Sequence, residues 1–256
     1  MKKQLDRILE KWNLLNHPFY QSWSAGTLPI DALKVYASEY GAFIFTLTEG
    51  WMTLNDAETA QEEQEHAELW DRFAAALGTH VSTPEITQTK DLVMTSRELF
   101  AKPATALGAM YAFEAQQPAT AKSKLDGLKT HYSLPAEVEP YFEIHSANWH
   151  ESEKLLAAMN QLSSEEQAEA RAACERMAES LWDALTGVHE RACIISVESP
   201  LPFALSGVPA KSKRGEGRRC TECPIGRIEV VRVHNNKRDN QSAVPFLSLM
   251  VRTDYI

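Results

Sequence analysis

The sequence lacks the features that define membrane, secreted and disulfide-rich proteins. Its 256 residues contain no apolar run close to the roughly 18 residues that a membrane-spanning helix needs. The stretch Met1–Asp6 has no apolar core of the signal-peptide type. Cysteine is scarce and clustered toward the carboxyl terminus, which does not suit a disulfide framework: Cys174, Cys193, Cys220 and Cys223. We therefore expect a cytoplasmic protein with no membrane partner.

Positive charge is scarce in the first three quarters of the chain. Residues 1–193 carry 16 Lys and Arg against 29 Asp and Glu, a net charge of −13, whereas residues 194–256 carry 10 against 6, a net charge of +4. An acidic body repels phosphate backbones, so we expect no nucleic-acid partner. Proline and basic residues also become frequent after residue 193. We predict a folded domain over residues 1–193 and a separate, basic, disordered tail over residues 194–256.

The tail offers little that predicts chemistry. Arg227–Val233 is its one alternating, strand-like stretch. Cys220 and Cys223 have the spacing of half a zinc site, but the sequence has no second pair to complete it. We therefore predict no zinc site there.

Strand patterns are missing before residue 193, where apolar residues recur at helical spacing instead. A long apolar stripe from Ile30 to about Leu54 predicts one buried helix. Ser163 and Glu166 form a capping box that opens the last helix. With short connections between periodic segments, the pattern predicts an all-α fold, a compact antiparallel bundle of seven to eight helices.

What the sequence does contain is a set of carboxylates and histidines on three predicted helices. The first helix is expected to begin near Asp56, with Asn55 as N-cap and Glu58 committed to a capping box. Glu62 and Glu63 lie four and three residues before His66, so either can share its face. The plain alternative is a solvated acidic surface with a histidine on it.

The other two helices add donors of the same kinds. Glu114 stands among apolar residues, where a carboxylate is costly unless it is paired or coordinated. A third predicted helix carries His145 and His150. Oxygen and imidazole donors from separate helices are what a di-iron or di-manganese bundle requires. The pattern therefore favours a metal centre inside the bundle.

Several motifs together resemble a known family. They are His17-Pro-Phe-Tyr20, His66-Ala-Glu-Leu-Trp70, Tyr111-Ala-Phe-Glu114-Ala-Gln-Gln-Pro118, Lys124 and Tyr141-Phe-Glu-Ile-His145. They resemble the haem-oxygenase-like di-metal oxidases of the TenA/PqqC-like superfamily. Within that group the likeness is to the self-sacrificing para-aminobenzoate synthases related to the chlamydial protein associating with death domains (CADD). The resemblance covers residue 4 to about residue 190 and none of the tail.

The resemblance implies a haem-oxygenase-like bundle and a single-turnover oxidase that makes para-aminobenzoate for folate synthesis. Tyr20 would supply the aromatic ring and Lys124 the amino nitrogen, so no separate organic substrate is needed. The cofactors would be two iron ions or a mixed manganese/iron pair, with dioxygen as co-substrate. A homodimer is one possible assembly. The implied metal ligands are Glu62, His66, Glu114, His145 and His150.

The chain departs from the family pattern at two places. Thr59 stands where the family has its first carboxylate, and Glu62 is the nearest substitute on that face. The family aspartate after the third-helix histidine is missing. His145 and His150 are about 140° apart around an α-helix, so they face one site only if the helix is locally distorted or the register shifts. The second metal position is then weak, empty or completed by Glu153.

Two other functions are compatible with parts of the pattern, and a third is weaker. One is a TenA-like, thiamin-related hydrolase, but its cysteine nucleophile on a middle helix has no counterpart before Cys174. Another is a non-catalytic helical interaction protein that has lost part of the metal site. A haem-binding role with His17 as axial ligand is the weakest, because His17 precedes Pro18 and can serve as a helix cap.

Overall fold

The computed structural model describes residues 1–198, and side chains as far as residue 194. This part of the chain contains no strand and eleven α-helical segments. They are α1 (Lys2–Lys11), α2 (Pro18–Ser24), α3 (Ile30–Ile44), α4 (Leu47–Thr53), α5 (Ala57–Ala76), α6 (Thr87–Phe100), α7 (Pro103–Glu114), α8 (Gln117–His131), α9 (Pro140–His145), α10 (His150–Met159) and α11 (Ser164–Glu198). Two 3₁₀ turns, Leu14–Asn16 and Ala136–Val138, lie between them.

Three pairs of successive segments are separated by very short breaks: α3 and α4, α7 and α8, and α9 and α10. Counted as one bent helix each, they leave eight helical units, so the predicted all-α bundle is confirmed. The single helix expected from Ile30 to Leu54 is instead broken at Phe45 and Thr46. The buried Thr46 hydroxyl donates to the Phe43 carbonyl, a local bond that competes with the helical ladder.

The long helix α11 is the element against which the bundle packs. It lies along α7, α6 and α3. Its contact with α7 is close because Gly108 has no Cβ, and a Cβ there would collide with the Ala170 carbonyl. The predicted capping box is present at its start: the Ser163 N–H donates to Glu166 Oε2 at 2.9 Å, and the Glu166 N–H donates to Ser163 Oγ at 3.3 Å.

The predictions for the tail fall largely outside the described residues, including the strand at Arg227–Val233 and the pair Cys220 and Cys223. Helix α11 continues to Glu198, past the predicted boundary at residue 193. None of the helices in residues 1–198 is both long and apolar enough to cross a membrane.

Candidate metal centre and tyrosine–lysine cluster

Helix α5 carries the first donors, and its start differs from the prediction. Asp56, not Asn55, is the N-cap, and its carboxylate accepts from the Thr59 N–H at 3.3 Å. Asn55 has φ +58°, the left-handed region that asparagine tolerates better than most residues. It therefore belongs to the turn before the helix, and the predicted capping box with Glu58 is wrong.

Glu63 and His66 on α5 meet His145 at the end of α9. Glu63 Oε1 lies 3.2 Å from His66 Nδ1, and their side chains are 1% and 12% exposed. The His66 and His145 rings are 4.5 Å apart between centroids. One donor atom from each of the three residues lies within 4.8 Å of the other two. This spacing allows all three to bind a common cation.

One hydrogen bond fixes the orientation of the His145 ring and determines which nitrogen is free of a proton. Its Nδ1 is 2.7 Å from the Tyr141 carbonyl oxygen, which can only accept, so Nδ1 carries the proton. The Nε2 atom is then a buried acceptor, and no donor in residues 1–198 bonds to it. Burial lowers the pKa of His145 to about 4, which keeps the imidazole neutral. A neutral imidazole fixed through its other nitrogen is the usual form of a metal-binding histidine.

Two further carboxylates are buried beside this group. Burial, and then the charges of Glu63 and Glu151, raise the pKa of Glu114 well above its ordinary value. Burial and then Glu63 also raise the pKa of Glu151, whose carboxylate accepts from Asn148 Nδ2 at 2.6 Å. Glu114 and Glu151 are each 2% exposed. Such mutual repulsion is costly unless a proton or a cation relieves it.

We call Glu63, His66, Glu114, His145 and Glu151 the buried donor cluster. Three of its atoms are buried and have no hydrogen-bond partner among residues 1–198: Glu63 Oε2, Glu114 Oε1 and His145 Nε2. Buried polar atoms are rarely left in this state, and a bound cation would satisfy them. Carboxylate and imidazole donors suit iron and manganese in helical bundles. The residues present therefore fit the metals that the sequence resemblance implies.

The predicted ligands divide between this cluster and the surface. His66, Glu114 and His145 belong to the cluster, whereas Glu62 and His150 are exposed. The predicted distortion is present, because α9 ends at His145 and α10 begins at His150, but the break leaves His150 facing solvent.

Sequence reasoning missed Glu151 and named Glu153, which is exposed. Glu151 follows the predicted His150 directly and lies in the acidic first turn of α10, which was the available signal. Thr59, at the position of the family carboxylate, is buried, and its hydroxyl accepts from Lys154 Nζ at 3.0 Å. Buried carboxylates are therefore present at Glu63 and Glu151, and not at the positions where the family pattern has them.

The two residues predicted to react lie together in a second buried group. Lys124 Nζ on α8 is 3.4 Å from Tyr20 Oη and 3.2 Å from Tyr36 Oη, and the two hydroxyl oxygens are 3.0 Å apart. Lys124 and Tyr20 are each 3% exposed. We call Tyr20, Tyr36 and Lys124 the tyrosine–lysine cluster.

This cluster contains a lysine without a negative partner. Within the described residues, Lys124 forms no ion pair. Burial lowers the pKa of Lys124 to about 7, so much of it is a neutral amine near neutral pH. Burial raises the pKa of Tyr20, although its hydrogen bond with Tyr36 opposes this, so the phenol stays protonated. A nucleophilic amine therefore lies beside a neutral phenol.

His17 holds the start of the helix that carries Tyr20. Its Nδ1 accepts from the Phe19 N–H at 3.1 Å and caps α2. Its Nε2 therefore carries the proton and donates to Thr186 Oγ1 at 3.0 Å. Burial, and then the neighbouring His189, lower the pKa of His17 to about 3. Both nitrogens are engaged in the protein, so neither is left to bind a haem iron.

Helix α9 connects the two clusters. Lys124 Nζ lies 5.2 Å from the centre of the Phe142 ring, one helical turn before His145. The Tyr141 ring centre is 4.2 Å from that of His145, and the Tyr141 hydroxyl accepts from Gln117 Nε2 at 2.9 Å. The buried donor cluster and the tyrosine–lysine cluster therefore share one wall of the core.

Comparisons with known proteins agree with this architecture. The family described as iron-containing redox enzymes matches residues 40–183. A 4-aminobenzoate synthase from Nitrosomonas europaea is 32% identical over 227 residues, which cover 75% of this chain and 92% of that protein.

Solved structures show the same fold at lower identity. A domain of unknown function with a heme oxygenase-like fold from Shewanella denitrificans has a TM-score of 0.66 at 16% identity, covering 80% of this chain and 98% of that one. A CADD-like protein of unknown function from Nostoc punctiforme has a TM-score of 0.57 at 21% identity, covering 78% and 97%. The predicted haem-oxygenase-like fold is thus confirmed.

Proposed function

This chain belongs to the family of iron-containing redox enzymes with a haem-oxygenase-like fold, and from that premise we propose that it forms para-aminobenzoate from its own side chains. The name of the relative from Nitrosomonas europaea supports the product, because para-aminobenzoate is 4-aminobenzoate. The contact between Lys124 and Tyr20 supports the source of the atoms and is the observation on which the proposal rests.

The chemistry of the product matches this contact. Para-aminobenzoate carries a carboxyl carbon and a nitrogen at opposite positions of a benzene ring, and a tyrosine side chain has a methylene carbon and an oxygen at those positions. Conversion therefore requires oxidation of the Tyr20 Cβ to a carboxyl group, cleavage of its Cα–Cβ bond, and replacement of the hydroxyl by nitrogen. Residue 20 would gain a hydrogen and become glycine, and the phenolic oxygen would leave as water.

Lys124 would supply the nitrogen. Its Nζ would bond to the ring carbon that carries the hydroxyl, and oxidation at Cε would give an imine. Hydrolysis of that imine would break the bond between Cε and Nζ and leave an aldehyde on the lysine side chain. Dioxygen is the oxidant for each of these oxidations. The lowered pKa of Lys124 supports this role, because only the neutral amine is a nucleophile.

The remaining residues hold and enclose the reacting groups. The buried donor cluster would bind iron or manganese, and these metals supply the activation of dioxygen. The Tyr36 hydroxyl forms hydrogen bonds with both Tyr20 and Lys124 and so fixes their relative positions. Because Tyr20 and Lys124 are in direct contact inside the core, no space separates them for another organic substrate.

The plain alternative is that Tyr20 is a core aromatic residue and Lys124 a surface lysine with a buried stem. A surface lysine extends its ammonium group into water. Lys124 is instead 3% exposed, and within the residues that the structure describes its Nζ donates hydrogen bonds only to tyrosine hydroxyls. This arrangement costs free energy, which is easier to explain by reactivity than by stability.

Complementation of a strain that cannot make para-aminobenzoate would test the proposal. We expect growth with the wild-type chain and none with Tyr20→Phe or Lys124→Ala. Lys122→Ala is the matched control, because Lys122 lies on the same helix but is exposed and paired with Asp126. Growth with both core variants would remove the roles assigned to Tyr20 and Lys124.

The two alternative functions receive less support. Cys174 is buried in α11, and burial raises the pKa of its thiol to about 12, which makes it a poor nucleophile for a thiamin-related hydrolase. A purely structural interaction protein gives no reason to keep the unpartnered atoms of Glu63, Glu114 and His145 buried.

A further inference from the structure

A second group of potential ligands lies at the surface next to the buried donor cluster. Donor atoms of Glu62, His150 and Glu151 all lie within 4.8 Å of one another. Glu62 belongs to α5, and the other two begin α10. The His150 side chain is 68% exposed and that of Glu151 3%. The group therefore combines two solvent-facing donors with one buried carboxylate.

Glu151 belongs both to this outer group and to the buried donor cluster. On the outside, Glu151 Oε1 lies 3.9 Å from His150 Nε2. On the inside, its carboxyl is close enough to Glu63 for the charge of Glu63 to raise its pKa, which burial raises first. Asn148 Nδ2 donates a hydrogen bond to one of the Glu151 oxygens, while Asn148 Oδ1 is buried and has no partner among the described residues. A carboxylate with two oxygens can bind a cation on one side and then on the other.

A metal ion from solution must pass from water into the buried donor cluster, and the outer group lies on that side. Its donors are closed in, and even His66 has a side chain only 12% exposed. A divalent cation in water carries a full hydration shell, which must be exchanged for protein ligands before the ion can reach a buried site. Exposed donors that replace some of the water molecules first lower the cost of that exchange. The chain's net charge of −9 also attracts cations.

We propose that Glu62, His150 and Glu151 form a solvent-facing capture site for divalent iron or manganese, and that Glu151 transfers the ion to the buried donor cluster. The capture site rests on the metal centre proposed above. It assigns Glu62 and His150 to loading rather than to the resident centre, and it explains why these two donors lie outside the core beside a shared ligand.

Timed loading of the metal-free, full-length chain tests this assignment. The protein is mixed with Fe²⁺ under anaerobic conditions, and samples are quenched at intervals with excess chelator. The chelator removes free and surface-bound ions, and the iron that remains with the protein is measured by mass spectrometry. We expect the double variant Glu62→Gln/His150→Ala to load about tenfold more slowly than the wild type and to reach the same final amount of protected iron.

A matched control removes the same two residue types elsewhere. Glu65 is exposed on α5 and His80 is exposed beyond its end, so Glu65→Gln/His80→Ala should load at the wild-type rate. Equal rates for the wild type and Glu62→Gln/His150→Ala would overturn the capture site alone. A lower final amount of protected iron in that variant would also overturn it, because the group would then be part of the resident centre. A wild-type chain that protects no iron would overturn the proposed metal centre itself.

Discussion

Two buried polar clusters lie side by side in this bundle, and they differ in whether their hydrogen bonds are complete. In the tyrosine–lysine cluster, Tyr20, Tyr36 and Lys124 bond to one another. In the buried donor cluster, Glu63, Glu114 and His145 each have one polar atom with no hydrogen-bond partner in the described part of the chain. The atoms of the first cluster are hydrogen-bonded to one another, whereas the second contains buried acceptors that a cation could bind. This difference matches the two roles proposed above, supplying atoms and binding the metal.

Removing the amine of the tyrosine–lysine cluster should have the largest effect on the amount of product. Lys124→Met keeps the length of the side chain but has no nitrogen to transfer, so para-aminobenzoate should fall below detection after aerobic incubation with iron and manganese. The free energy of unfolding should rise by about 1–3 kcal/mol at neutral pH, because the substitution removes from the core a polar group that has no charged partner among the described residues. Chromatography with mass detection measures the product, and urea unfolding measures the stability.

Lys122→Met serves as the control for that substitution and should change neither quantity appreciably. A Lys124→Met variant that still makes wild-type amounts of product would show that the nitrogen comes from another source.

The next test compares two buried carboxylates, Glu39 and Glu114. Both oxygens of Glu39 accept hydrogen bonds, whereas Glu114 Oε1 accepts none from the described residues. The Glu39 carboxylate accepts hydrogen bonds from the Glu85 and Ile86 N–H groups and from the Thr89 hydroxyl. Glu39→Leu should therefore destabilise the chain by about 2–4 kcal/mol. Glu114→Leu should stabilise the metal-free chain by about 1–3 kcal/mol, because it removes a buried carboxyl group whose ionised form is disfavoured first by burial and then by the charges of Glu63 and Glu151.

Iron content separates the same two variants. Glu114→Leu should purify with little or no iron, and Glu39→Leu should keep the wild-type amount per folded chain. Destabilisation of the metal-free chain by Glu114→Leu would argue that Glu114 is a satisfied structural carboxylate like Glu39.

The pH dependence of the free energy of unfolding should report the lowered pKa of Lys124 in the tyrosine–lysine cluster. Below about pH 7, Lys124 is protonated in both the folded and the unfolded chain, and the cost of burying its charge is fully present. Between pH 7 and its ordinary pKa of 10.5, only the unfolded chain keeps the proton, so the free energy of unfolding should rise with pH. The slope from this group is at most about 1.4 kcal/mol per pH unit.

The difference between wild type and Lys124→Met isolates this contribution from the other titrating groups. Unfolding curves at pH 7, 8 and 9 should converge with those of the variant as the pH rises. A constant difference over that range would mean that Lys124 keeps its ordinary pKa in the folded chain.

The smallest effect is expected from changing Thr186, which bonds to His17, the residue that caps the helix carrying Tyr20. Thr186→Val removes the acceptor of the His17 Nε2 proton and leaves a buried donor unpaired, which should cost about 1–2 kcal/mol. The product should form more slowly but to the same final amount, because the reacting atoms remain. Thr186→Ser keeps the hydroxyl and should behave as the wild type. A full loss of product with Thr186→Val at wild-type stability would give Thr186 a direct part in the reaction.

The sequence predicted the helices well and the orientation of individual donors less well. Helical periodicity and the capping box at Ser163 depend on local spacing, which a sequence displays directly. Asn55 and Asp56 are both good caps, and the choice between them depends on which one adopts φ above zero. Glu62 and Glu63 lie four and three residues before His66, so only the packing of α5 decides which one faces the core.

The break between α9 and α10 explains the remaining difference. An unbroken helix would place His145 and His150 about 140° apart, and Glu151 would follow on the wrong side. Ser146–Trp149 interrupt the helix and reset the angle, so Glu151 enters the buried donor cluster while His150 remains outside. Such a reset depends on tertiary packing and leaves no periodic signal in the sequence.

The most direct test of the sacrificial role is the mass of the peptide that contains residue 20 after the metal-loaded chain has reacted with dioxygen. We expect loss of the tyrosine side chain at that position, leaving glycine, with no more than one para-aminobenzoate released per chain. An intact Tyr20 in protein that has produced para-aminobenzoate would show that the ring comes from another source.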